Sequence, residues 1–322
     1  MRGVANAGIV CVTPNPALDR TLEIPNLRPG TIMRSASSRV AAGGKGVNVA
    51  RALAALGTEP LCMGPLGGSS GRILADLAAA EGLSAAWTWC EVETRSCTIL
   101  VDPAARQATV INEAGPRLHA GDWRRFCAEV LSRTTRAQVV CLSGSLPPGV
   151  PADGLVDLCR SLVKAGQAPW VDSSGPPLAA VLSVSGVRLK INREEAEEVL
   201  GSSLNGVSAC GAAARQLLQR GPTTVVLTLG AEGAVLATAE GCWHASSPPV
   251  ETASAVASGD SFLAGLVAAL TAGRDLSEAL RWGVAAGAAN ALADGGARFS
   301  RQQFDSLLVR TRCDTVPDPN PF

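Results

Sequence analysis

The chain has 322 residues, 47% of them hydrophobic, and its 28 Lys+Arg balance 28 Asp+Glu to a formal net charge of zero. That length supplies one large α/β domain or two medium ones with ample core, and no basic surplus of the kind a nucleic-acid binder carries is present. Ten cysteines without a CxxC pair, several inside apolar periodic segments (Cys11, Cys127, Cys141, Cys159), read as small core hydrophobes of a reducing compartment, and with His119 and His244 as the only histidines a zinc site is not expected.

The first residues, MRGVANAGIVCVTPNPALD, lack a signal-peptide layout. The longest apolar runs, such as Leu263 to Leu270, are too short to span a bilayer, so a cytoplasmic protein without membrane contact is expected. Ile9–Thr13 reads as a short apolar strand, and Val47 to Leu56 as a helix closed by Gly57. Trp123, Phe126, Cys127, Val130 and Leu131 share one helical face, as do Leu155, Leu158, Cys159, Leu162 and Val163. Between and after them, Val139–Leu142, Trp170–Asp172, Val187–Ile191 and Val225–Leu229 are continuous apolar strands. Such strands alternating with amphipathic helices predict a parallel sheet covered on both faces.

Two stretches break the rhythm. Thr21–Ile24 and Ser37–Ala41 are extended candidates, and Ser96–Val101 and Gln107–Asn112 flank the turn Asp102-Pro103-Ala104-Ala105-Arg106, predicting a hairpin. These pieces predict a small separate β layer beside the site. The segment Thr311–Phe322, with three prolines, is expected to be irregular.

Four clusters could carry chemistry. In Gly43-Gly44-Lys45-Gly46-Val47-Asn48, glycines would let backbone approach a ligand at a helix start, Lys45 offers a cation and Asn48 a hydrogen bond; a tight turn with a solvated lysine explains the same residues. In Ala257-Ser258-Gly259-Asp260, Asp260 is either a helix cap or a proton acceptor beside free backbone N–H groups. Lys190-Ile191-Asn192-Arg193-Glu194-Glu195 has the layout of a capping box, or of groups near hydrated Mg²⁺. Thr228-Leu229-Gly230-Ala231-Glu232-Gly233-Ala234 is a strand ending in a glycine turn, bordering a nucleotide or forming a hairpin.

Taken in order, these stretches resemble the ribokinase-like carbohydrate kinases, specifically the phosphofructokinase-B branch. The resemblance runs from Thr13 to about Phe299 through TPNPALDRT at 13–21, GGKGVNVARALAALG at 43–57, TR at 94–95, NEAGP at 112–116, LSGSLPPG at 142–149, VDSSG at 171–175, KINREEAEEVLG at 190–201, TLGAEGA at 228–234 and VASGDSFLAG at 256–265. It implies a three-layer α/β/α sandwich with a mostly parallel central sheet and a small β-sheet lid, one domain over 1–322 with the lid formed by about 17–41 and 94–113. The implied activity is ATP-dependent phosphorylation of a phosphorylated ketohexose, fructose 1-phosphate first, then tagatose 6-phosphate, then fructose 6-phosphate, with Mg²⁺. A non-catalytic sugar-phosphate sensor is the alternative of another class.

The resemblance also assigns residues. Asp260 matches the catalytic base, and the backbone of Ala257, Ser258 and Gly259 the anion hole. Asp19, Gly43, Gly44, Asn48, Arg95 and Ser143 fall where the sugar phosphate is bound, with Lys45 placed for its phosphate. Lys190, Asn192, Glu195, Thr228, Gly230 and Gly233 match nucleotide neighbours, Glu195 reaching the metal through water. A homodimer through the lid is implied as well. Two departures stand out: the family's GAGD is Ala257-Ser258-Gly259-Asp260 here, and its KPN is Lys190-Ile191-Asn192.

Overall fold

A computed structural model describes residues 8–105, 107–293 and 295–317. Strands β1 (Ile9–Val12), β2 (Ala17–Glu23) and β3 (Ser37–Gly43) come first, then β4 (Leu61–Leu66), β5 (Ser84–Trp89), β6 (Arg95–Asp102) and β7 (Gln107–Asn112). The second half supplies β8 (Val139–Ser143), β9 (Trp170–Asp172), β10 (Arg188–Asn192), β11 (Thr224–Thr228), β12 (Ala234–Thr238), β13 (Gly241–Ser246) and β14 (Arg312–Thr315).

Ten of these strands form one sheet in the order β14-β13-β12-β11-β10-β9-β8-β1-β4-β5. It is parallel from β5 through β11 and antiparallel from β11 to β14. Alternation along each strand sends side chains to two cores. Ile9 and Cys11 face the helices Lys45–Ala55, Ser258–Thr271 and Leu276–Ala291, while Val10 and Val12 face the layer containing Ala120–Thr134 and Ala152–Lys164. Because both faces are covered, β1, β8, β9 and β11 are apolar but for their end residues, and β10 adds the buried Lys190 between Leu189 and Ile191.

The cysteines behave as small hydrophobes: all ten are free thiols, and only Cys127 and Cys313 are not fully buried. Cys11 sits in register between Cys62 on β4 and Cys141 on β8. No helix among the described residues is long and apolar enough to cross a membrane.

The strands that broke the rhythm form a second sheet, in the order β3-β2-β6-β7. Its register places Asp19 beside Cys97 and Asn112, and Ile99 beside Val110, all on one face. β6 and β7 form the expected antiparallel hairpin, although Arg106 of its turn lies outside the described residues.

The segment from Thr311 is a correction. Arg312–Thr315 pairs with β13 as the sheet's edge strand, held by backbone bonds that no apolar pattern announces; the rest of that expectation, from 318 on, lies outside the described residues.

Candidate active site

A parallel sheet presents a crevice at the carboxyl ends of its strands where the chain order reverses. Here β1 is flanked by β4 and β8, and the ends of β1, β8, β9, β10 and β11 supply Asn15, Ser145, Asp172, Asn192 and Thr228 or residues just before them. The helix Ser258–Thr271 aims its N-terminus at this rim. Two cavities lie on either side of that N-terminus. One of about 490 Å³ is bounded by Thr228, Gly230, Gly233, Ser258 and Gly259. The other, of about 790 Å³, is bounded by Asp19, Lys45, Asn48, Arg95, Ala257 and Asp260.

Asp260 is not a helix cap. The cap position belongs to Ala257, whose backbone is left-handed (φ 64°), and Asp260 lies three residues further on with its carboxylate accepting from Asn48 Nδ2 at 2.9 Å. The Ser258 N–H turns back to Ala255 O and that of Ser261 to Ala257 O. The N–H groups of Gly259 and Asp260 find no backbone acceptor outside the helix among the described residues, so the helix start keeps donors for an anion. The Ser258 expectation is thereby narrowed: its N–H is spent, and its hydroxyl accepts from Asn290 Nδ2 at 2.9 Å.

Asp172, which the sequence reading did not single out, organises the charges. It is wholly buried, with Lys45 Nζ on one oxygen (2.7 Å) and Lys190 Nζ on the other (2.8 Å). Burial would raise its carboxyl, but the two ammonium groups outweigh that and hold it below the usual range. Burial lowers the Lys45 ammonium, yet Asp172, Asp260 and Glu195 together lift it above its ordinary value. Asp260 goes the other way. Burial first, then the neighbouring Asp172, raise it against the opposing pull of Lys45, Lys190 and the Asn48 hydrogen bond. Asp19 is likewise pushed up, to about 6, by burial, with Arg51 and Arg95 resisting and Asp260 adding to the rise.

Lys45 borders the charged cavity, its ammonium on Asp172 and 3.9 Å from Glu195. Ser143 is a correction. It is wholly buried with its hydroxyl unpartnered, whereas Ser145, past the Gly144 turn, lines the cavity and receives a bond from Asn15. Gly43 does not line the cavity either; it packs against Asp19, whose carboxylate a Cβ there would overlap. Gly44 does line it, at φ 103°, where a side chain is strained.

Arg95 borders the same cavity, anchored to Asn15 O and Glu113 O. Those bonds occupy part of a fork with five N–H donors. Its guanidinium gives that cavity a second cation beside Lys45.

On the other side, Thr228, Gly230 and Gly233 line the smaller cavity as expected, and the 228–234 segment is at once a hairpin and a cavity rim. Lys190, Asn192 and Glu195 do not line it. Lys190 lies beneath Gly259, where a Cβ would come within 2.8 Å of its Nζ. Asn192 and Glu195 form a true capping box, Asn192 Oδ1 accepting from Glu195 N and Glu195 Oε2 from Asn192 N. Ile191 keeps the backbone N–H that a proline would remove, within the β10 ladder between β9 and β11. The sequence reading missed Pro248, Val250, Phe262 and Ala288, which give this cavity its apolar wall.

No group of three or more carboxylate, thiol or imidazole side chains among the described residues could cage a metal. A hydrated Mg²⁺ keeps most of its waters and needs few protein ligands, and Glu195 Oε1, 3.9 Å from Lys45 Nζ, is a carboxylate oxygen that would meet it through water.

A donor-bearing helix start, a buried carboxylate of raised proton affinity and a cavity on either side are parts that phosphoryl transfer to an alcohol would use. The model of the pfkB family carbohydrate kinases matches residues 8–302, and the chain belongs to that family. It is 36% identical over 266 residues to a 1-phosphofructokinase of Xanthomonas campestris (81% of this chain, 83% of the relative). It is 35% identical over 306 residues to an ATP-dependent 6-phosphofructokinase isozyme 2 of Mycobacterium tuberculosis (93% of this chain, 88% of the relative). The crystal structure of phosphofructokinase-2 from Escherichia coli in complex with substrates and products superposes with a TM-score of 0.88 at 30% identity, covering 94% of this chain and 99% of that one. The chain is thus a carbohydrate kinase of ribokinase-like fold, a sugar-phosphate kinase whose relatives divide between two phosphofructokinase activities at similar identity.

Proposed function

We propose that this kinase transfers the γ-phosphoryl group of ATP to a primary hydroxyl of fructose 1-phosphate. Tagatose 6-phosphate and fructose 6-phosphate are the alternative acceptors. The observation that carries the reading is the position of Asp260, at a helix start between an apolar cavity suited to adenosine and a charged cavity suited to a sugar phosphate. Asp260 accepts the hydroxyl proton as the oxygen attacks phosphorus, and its raised proton affinity matches it to that task. The N–H groups of Gly259 and Asp260 receive the charge that spreads over the transferring group. Lys190, against Asp172 and beneath Gly259, adds positive potential on the nucleotide side. Glu195 would hold Mg²⁺ through water, and the ion would supply neutralisation of phosphate charge.

Arg95, bordering the charged cavity with Asp19 and Asn48, binds the sugar's own phosphate, which favours a phosphorylated sugar over a free one. We read the whole chain as one cytoplasmic kinase domain with β2, β3, β6 and β7 as its lid. The half-exposed Val110 and Ile111 of β7 support a homodimer through that lid.

The test is ADP release with Mg²⁺-ATP, comparing kcat/KM for fructose 1-phosphate, tagatose 6-phosphate and fructose 6-phosphate, with fructose and ribose as controls. The highest value is expected for fructose 1-phosphate. A higher value for another phosphorylated sugar reassigns the acceptor, and ATP binding with no ADP from any sugar supports the sensor alternative.

A further inference from the structure

The carboxylate of Asp260 is touched by one side-chain amide, that of Asn48, and an amide can present either of two faces. A donor on Asp260 favours its ionised form; a carbonyl there favours the protonated acid. What decides the face is on the far side of Asn48. Arg51, one helical turn on and only 8% exposed, donates from Nη1 to Asn48 Oδ1 at 2.8 Å. A guanidinium has donors and no acceptor, so the amide oxygen is obliged to face Arg51 and the NH₂ to face Asp260. Arg51 cannot turn away either. Its Nε is paired with Glu81, Nη1 also reaches Gly296 O at 2.9 Å and Nη2 reaches Ala42 O. Arg298 in turn holds the second oxygen of Glu81.

We propose that Arg51 is a positioning residue for phosphoryl transfer, fixing the Asn48 amide so that only its NH₂ can meet the Asp260 carboxylate. The inference rests on Asp260 being the base. It does not require Arg51 to touch either substrate, and Arg51 is not among the residues bordering either cavity.

Other charges also bear on Asp260: Asp172 from β9, Lys45 from the same helix as Asn48, Lys190 from β10, and Asp19 from β2 across the cavity. Arg51 itself acts through space on Asp19. Removing the guanidinium therefore alters two carboxyls, and keeping a charge at position 51 separates them. Arg51→Lys retains a cation for Glu81 and Asp19, but its single ammonium has no second arm for Asn48 once it is on Glu81.

The experiment is the pH dependence of the single-turnover rate for the wild type, Arg51→Lys, Arg51→Met, Asn48→Leu and Arg51→Met/Asn48→Leu, with Asp260→Asn as reference. Loss of one oriented hydrogen bond is expected to move the acid limb upward by about one pH unit in both Arg51 variants, about tenfold in rate below the limb. In the two Arg51 single variants KM for both substrates at pH 8.5 should stay within about threefold, and the double variant should shift no further than Asn48→Leu alone. A fall of equal size at every pH, or additive shifts, overturns the relay as mere scaffolding would. Should Arg51→Met fail to fold, Arg51→Lys decides alone. Asp260→Asn separates the two ideas. Turnover retained there removes the base and the relay with it, whereas an inactive Asp260→Asn beside Arg51 variants with an unmoved limb removes the relay only.

Discussion

The two cavities that meet at Ala257–Asp260 are built from opposite materials. The larger draws on Asp19, Lys45, Asn48, Arg95 and Asp260, so charge lines it, and Asp19, Lys45 and Asp260 are held away from their ordinary proton affinities. The smaller draws on Gly230, Gly233, Pro248, Val250, Phe262 and Ala288, so it selects by shape. Chemistry at one end and a flat apolar anchor at the other is the division of labour expected when remote binding energy positions a reacting group. It follows that damage to the first should appear in kcat and in pH dependence, and damage to the second in KM for the nucleotide.

The contrast fails first at Asp260. Asp260→Asn should fold as the wild type does and lose about 10²–10⁴ in kcat; near-normal turnover would place the chemistry elsewhere. Asp172→Asn attacks the same cavity through stability. Lys45 and Lys190 would lose the buried carboxylate that both contact, at a cost of about 3–5 kcal/mol in urea denaturation at neutral pH. Because Asp172 is held below the usual carboxylate range, its contribution is present above the unfolded-state value and lost as pH falls through the folded one. The gap between wild type and Asp172→Asn should therefore close in strong acid, and a gap constant with pH would contradict the assignment.

On the apolar side, Ala288→Leu should crowd the cavity and raise KM for ATP by about tenfold, leaving KM for the sugar alone; equal changes in both would dissolve the distinction between the cavities. Asp19→Asn tests the charged side again, with the opposite sign for stability. A carboxyl raised from 3.8 to about 6 makes the folded protein lose stability as pH rises across that window. Asp19→Asn should thus melt higher than the wild type at pH 8 and about equally at pH 4, while binding the sugar less well. The smallest effect concerns Ala257, a left-handed alanine at the junction. Ala257→Gly should gain about 1 kcal/mol without loss of activity.

How much of this could be read from the residues depends on what each one leans on. β1 and β8 to β11 announce themselves because both faces are buried, so consecutive apolar side chains run through most of each strand. β14, Arg-Cys-Asp-Thr, is mostly exposed and defined by its partner, which no local pattern reveals. β12 is a continuous buried strand following directly on the 228–233 turn, whereas β5 mixes exposed and buried positions and shows no clean period. In the site, Asp260 and Asn48 were marked by the glycine-rich turns beside them. Asp172 was not, since a lone acid after an apolar strand looks like any strand end until two lysines from elsewhere converge on it. Ser143 and Ser145 lie two residues apart, and only the Gly144 turn between them, at φ 122°, decides which reaches the cavity. Such facts belong to tertiary contact, so motif order could place the site but not orient its side chains.

The row of thiols Cys62, Cys11 and Cys141 across three neighbouring strands has a use of its own. A thiol hydrogen bond with Cys141, then burial, press Cys11 toward the unreactive protonated form, and burial does the same to Cys62. A water-borne alkylating reagent can reach this row only when the centre of the sheet comes apart. The chain thus carries an internal clock for global opening, read out by mass as label accumulates, with Cys127 and Cys313 nearer the surface marking local breathing on the same molecule.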